Sequence, residues 1–275
     1  MQWSRVKSIL IVILLVANGF LAFNIAGKYV SRYYRETETA HNMTVILTAR
    51  GIEPGRALTL PEAHSLPVLQ IDRSRPDEDT FSTGLLGEDA ERTETPDGAV
   101  SYTSAAGSLT WSGGGSVAGA VTPVGYKRPS GARAMEEAVQ KLLSDAGVTN
   151  PVELTVDETA SMVTAGFQTA GVPVFNRKLT FGFSDTRVTL TGWWTFGVPY
   201  TTRSGVYAAC EASDAVFTLI SRETVGRIDR LEEGFLLTEN GGGRVQMTPG
   251  WRIETDIGCF FVDSLKKSSM AIENY

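Results

Sequence analysis

Histidine and cysteine are scarce in this chain, two of each in 275 residues, and that removes much catalytic and metal chemistry at the outset. A nucleophilic Ser or Cys needs a base, and neither His41 nor His64 has a partner recognisable in the sequence. Cys210 and Cys259 are far apart and outside any CxxC spacing, so zinc has no ligand set. No Gly-Lys-Ser/Thr follows the triplet Gly113 to Gly115, so a phosphate cradle is absent. The same segment misses a nucleophile elbow, because Ala118 stands where a glycine is required. The acidic run from Glu88 to Asp97 lacks the alternating oxygens of a calcium loop and reads as a solvated loop. The carboxylate pairs Glu136/Glu137, Glu232/Glu233 and Glu254/Asp256 read as surface, because adjacent acids rarely form a glycosidase site. We therefore expect no catalytic residues, cofactor, metal or small-molecule ligand.

Acid is missing altogether from residues 1 to 35, which hold five basic residues. The 240 residues beyond them carry 20 basic and 31 acidic side chains, a formal charge of −11, which argues against nucleic-acid binding. Charge of either sign is absent from the 20 residues Ser8 to Gly27, a run dominated by Ile, Leu, Val, Phe and Ala. As a helix rising about 1.5 Å per residue, this run covers the roughly 30 Å hydrocarbon core of a bilayer. A cleaved signal peptide is the alternative, but Asn24 would occupy a cleavage position that needs a small residue. We expect a single-pass anchor, with 1–7 on one side and the body on the other. Flanking basic residues are too evenly divided to orient it. Asn18, Ala22 and Ala26 recur every four residues along the anchor, a face that suits contact with a second membrane helix.

Beyond the anchor, helical spacing predicts a helix from Thr37 to Arg50, then a Pro-punctuated stretch with an extended run at Leu66 to Ile71. Asp72 to Gly98 reads as irregular except around Phe81 to Leu86. Glycine-punctuated strands are expected from Ala99 to Val121, and a boundary near Pro129 divides a first half, 28–128, from a second, 129–275. The second half opens with an amphipathic helix, capped by Ser130 and ended by Gly147, whose inner face holds Met135, Val139 and Leu142. Strands follow at Val152 to Val156, Met162 to Gln168, Val174 to Phe183 and Arg187 to Phe196. A short helix capped by Ser213 precedes two strands, Arg227 to Leu237 and Trp251 to Val262, linked by a turn at Asn240 to Gly243. This order predicts an α+β fold, an antiparallel sheet with helices on one face, without an internal sequence repeat. Trp193 and Trp194 point to opposite sheet faces, so both are covered or one serves a partner. Cys210 and Cys259 are two buried thiols or, outside the cell, a disulfide.

Met1 to Lys7 before the anchor, ILTARGIEP leading to LPVLQID, FSTGLLGE, GVPVFNRKLTFGFSD followed by VTLTGWWTFG, RIDRLEEGFLLTENGG, and PGWRIETDIGCFFVDS form a recognisable order of segments. Together they resemble the YycI regulators of the YycH/YycI family, which are associated with the WalK (YycG) sensor histidine kinase of Gram-positive bacteria. Phe235 in place of Tyr, Gly250 in place of a larger residue, and Leu265-Lys266-Lys267 in place of a glycine turn depart from that pattern. The resemblance implies a cytoplasmic N-terminus, an extracytoplasmic body with a PepSY-like core, and no catalysis. It also implies control of a WalK-like kinase through neighbouring membrane helices, often with a YycH-like partner. The competing expectation is an envelope enzyme or a module that binds cell-wall polymer.

Overall fold

The computed structural model describes residues 38–56, 58–148, 152–194, 196–201, 210–239 and 244–272, together with Leu14 and residues 17–20. Among these no helix is long and apolar enough to cross a membrane. The expected span from Ser8 to Gly27 lies largely outside them, as do Ala22 and Ala26, while Asn18 is helical and exposed.

The fold is α+β and dominated by one mostly antiparallel sheet. Helix α1 (38–49) leads to β1 (Glu53–Pro54) and β2 (Leu69–Asp72). Three units of one design follow. The first is α2 (Arg75–Leu86) with β3 (Glu91–Glu94), β4 (Val100–Ser104), β5 (Gly107–Ser112) and β6 (Ser116–Val121). The second is α3 (Ala132–Asp145) with β7 (Val152–Asp157), β8 (Met162–Thr169), β9 (Val172–Phe183) and β10 (Val188–Trp193). After β11 (Tyr200–Thr201), the third is α4 (Ala212–Ile220) with β12 (Arg227–Glu239), β13 (Arg244–Thr255), β14 (Gly258–Asp263) and β15 (Ser268–Ile272). Each unit is a helix followed by four strands paired in sequence order. The sequence does not disclose this threefold layout, because helix, hairpins and binary pattern can recur without residue identity.

The units join edge to edge: β6 pairs antiparallel with β10, and β9 meets β12 in parallel. β1 lies parallel to β12 and β2 antiparallel to β13, so the segment preceding the first unit completes the third.

Helices α1 to α4 cover the same sheet face. On β12, Leu231 packs with α1 and α4, while Phe235 and Leu237 join the core beneath α2 and α3. These residues have one parity along an unbroken stretch of strand, so they share a face. β13 repeats the arrangement, with Val245 and Met247 in one cluster and Trp251 and Ile253 in the other.

Three local expectations are corrected. The segment Asp72 to Gly98 contains α2, begun by Pro76 in its first turn, and Glu78 at its N-terminal end is fully buried. Arg73 donates to that carboxylate at 2.5 Å and Arg75 adds a second contact at 3.4 Å, so a charge that reads as surface is neutralised inside. Helix α3 is capped by Gly131 rather than Ser130, and Glu158 accepts the Ala132 N–H at 2.7 Å. Helix α4 is capped by Glu211 rather than Ser213. The turn expected at Asn240 to Gly243 lies outside the described residues, but its flanking strands pair up to Glu239 and Val245.

Candidate functional site: the open sheet face

Strand β9 organises the face that carries no helix. Its residues 178–182 pair with β8 residues 162–166; the register then shifts, and Val172 to Val174 pair with Phe167 to Thr169. The three residues between, Phe175, Asn176 and Arg177, have no partner on β8 and take separate directions. Asn176 reaches β12: its Nδ2 donates to the Leu237 carbonyl and its Oδ1 accepts the Leu237 N–H, both at 2.8 Å. An amide side chain thus replaces a backbone pair at a seam whose one registered pair is Phe235 with Val174.

Arg177 turns to the helix-covered side and is 2% exposed. Its guanidinium lies 3.7 Å from the Phe167 ring centre and 5.0 Å from that of Trp194. Nε and Nη1 are buried without a hydrogen-bond partner, and burial pulls the pKa down to about 9. Cation–π attraction takes the place of a counter-ion.

Phe175 turns to the open side, where it packs with Leu236 and Phe261. Its ring and that of Phe261 meet edge to face at 6.2 Å. Gly234 and Gly250, directly opposed on β12 and β13, make room for them. A Cβ on Gly234 would stand 2.6 Å from the Phe175 ring, and one on Gly250 2.4 Å from that of Phe261. This accounts for the small residue before Trp251.

Beside these rings lies a cleft of about 360 Å³, lined among others by Lys178, Asp229, Arg252, Glu254 and Cys259. Its carboxylates are engaged: Arg252 donates to Glu254 at 2.5 Å, and Arg227 donates to Asp229 at 2.7 Å. Burial, and then the neighbouring Arg252, lowers the Lys178 pKa. Burial raises that of the Cys259 thiol, which keeps it protonated and a poor nucleophile. Such paired carboxylates do not supply a free acid and base.

Next to the cleft the open face becomes a field of hydroxyls. Successive registers place Thr155, Thr164, Thr180 and Thr191 side by side on β7, β8, β9 and β10. The row continues through Ala118 on β6, Thr110 on β5, Ser101 on β4 and Thr93 on β3. Two hydroxyl pairs bond across strands, Ser101 with Thr110 at 2.9 Å and Thr164 with Thr180 at 3.4 Å. Alternation marks each strand as half-exposed, but the cross-strand row needs the register, which no single strand reveals.

The two tryptophans differ in burial. Trp194 is 1% exposed on the helix side, edge to face with Phe167 at 5.6 Å. Trp193 lies half-buried at the margin of the open face, and its indole N–H donates to the Gly114 carbonyl at 2.5 Å. Cys210 and Cys259 are free, so the disulfide alternative is corrected. Cys210 belongs to the cluster under α4, whereas Cys259 alternates with Phe260 and Val262 of that cluster and points to the opposite face.

Two side chains expected to lack a role are paired. Glu233, 8% exposed, accepts the backbone N–H of His64 at 2.9 and 3.0 Å and lies 2.6 Å from its Nδ1. The pair pins the segment before β2 to β12, and 169 residues of separation hide it from the sequence. Among the described residues no three His, Cys, Asp or Glu side chains are placed to hold a metal.

No family model and no curated protein matches the chain. An uncharacterized protein from Eubacterium rectale ATCC 33656 is similar over 81% of this chain and 90% of its own, with 8% identity and a TM-score of 0.43. The Bacillus megaterium YpeB C-terminal domain is similar over 74% of this chain and 100% of its own, with 11% identity and a TM-score of 0.32.

Proposed function

We propose that this protein is a membrane-anchored regulator of a WalK-like sensor histidine kinase, with a PepSY-like extracytoplasmic body that acts by binding rather than catalysis. The observation that carries the reading is the uncharged stretch from Ser8 to Gly27, with its Asn18/Ala22/Ala26 face, ahead of motifs that resemble YycI regulators. An anchor of this kind influences a kinase only through contacts that differ between the kinase's two states. A YycH-like partner fits the same arrangement. The engaged carboxylates of the cleft and its protonated thiol are compatible with a binding role.

Replacing Asn18, Ala22 and Ala26 together with Leu is expected to reduce co-purification with the kinase while the melting curve of the body stays unchanged. Undiminished co-purification sinks the helix-contact mechanism. The second reading, a module that binds wall polymer, draws on the hydroxyl field of the open face.

A further inference from the structure

The open face has an unusual exclusion built into it. From Lys178 onward on β9, and across β10, β6, β5 and β4, its side chains are hydroxyls, alanines and glycines. Lys178 is the one charge there among the described residues, and Trp193 the one large ring. The body as a whole is strongly acidic, so an uncharged field of this width stands apart from the remaining surface.

Chemistry narrows what such a field recognises. Without a cluster of cations it has no means of holding nucleic acid or an acidic peptide. Without large apolar side chains at its centre it lacks the anchors of a protein–protein hot spot. What it offers is a two-dimensional set of groups that each donate and accept hydrogen bonds, repeated at the inter-strand spacing of about 4.8 Å. A polyol has the same dual character, and an extended chain of pyranose rings advances by a similar step per ring. The field also leads at Lys178 into the cleft, whose Phe175 supplies an aromatic wall and whose charges already balance one another.

We infer that the open face binds a neutral glycan strand, laid across the strands along the row from Thr180 to Ser101, inside the acids Glu153 and Asp157 that flank Thr155 on β7, with the cleft receiving a ring or substituent at its side. This goes beyond the kinase reading and stands or falls without it, because the purified chain is tested with no kinase present.

The experiment measures retention of the full-length chain on two insoluble probes, chitin and cellulose, with soluble chitohexaose as competitor. Retention on either polymer, released by competitor or by free cello-oligosaccharide, is the expected result. Thr110→Val combined with Thr191→Val keeps side-chain shape but removes two hydroxyls, and is expected to weaken binding about tenfold, the loss of two modest hydrogen bonds. Thr110→Ser with Thr191→Ser restores them and is expected to stay within about threefold of the native chain. Thr191→Glu, at an exposed position, sets a charge in the row and is expected to abolish retention; thermal melts confirm that each variant is folded. The inference is overturned if the native chain is retained on neither polymer or the valine variant binds as well as the native chain. Self-association through this face, seen by sedimentation in the absence of glycan and lost in the valine variant, overturns it in favour of a second copy as the occupant.

Discussion

Tyr102 and Arg177 are both buried ionisable side chains, and their effects on stability run in opposite directions. Tyr102 is 3% exposed and its hydroxyl donates to Asp79. Burial first, and then the Asp79 hydrogen bond, push its pKa up to about 12. An unfolded phenol titrates near pH 10, so above that pH the unfolded chain sheds this proton first. The contribution is therefore complete below about pH 10 and declines as pH climbs toward 12. Denaturant melts across that range should show the decline, and Tyr102→Phe should flatten it. Arg177 is held as a cation without an acid, at a desolvation cost only partly offset by Phe167 and Trp194. Arg177→Met keeps the volume and removes that cost. We expect its urea midpoint at pH 7 to rise, with a gain of about 1 kcal/mol or more.

At the scale of the element, legibility in the sequence followed periodicity. Helix α3 and strands β8 to β10 carry clean alternating or helical patterns, and they lie where those patterns predict. Helix α2 was hidden because its ion pair places Glu78 on the inner face, where a hydrophobic pattern is required. The candidate site was less legible still. Trp193 and Trp194 could be assigned to opposite faces from adjacency alone, but the hydroxyl row is a property of eight strands in register. The glycines opposite Phe175 and Phe261 likewise acquire meaning only once β9, β12, β13 and β14 lie together. Gly250→Ala sets a methyl group 2.3 Å from the Val262 carbonyl as well as against the Phe261 ring. That overpacking is expected to cost about 1–3 kcal/mol in denaturant unfolding, with the cleft-lining Phe261 displaced. In β12, Glu233→Gln leaves His64 without its carboxylate. A loss of about 1–3 kcal/mol is expected, together with faster proteolysis between residues 58 and 68.

For the molecule as a whole, the three units are paired internally along long antiparallel strands, while at the seam between β9 and β12 the backbone is joined by one registered pair and the Asn176 amide above a shared core. Asn176→Leu removes both amide hydrogen bonds and is expected to raise hydrogen exchange at the Leu237 amide well before exchange at the amides that pair β12 with β13. The edge strand β3 is short and carries Glu91, Arg92 and Glu94, which discourages strand addition by another chain.

Helix α1 gives the architecture a direction. It precedes the first unit yet packs with α4, β12 and β13 of the third, and β1, which follows it, pairs with β12. A displacement delivered at residue 38 is therefore expected to reach the third unit, which α1 packs against, before the first two.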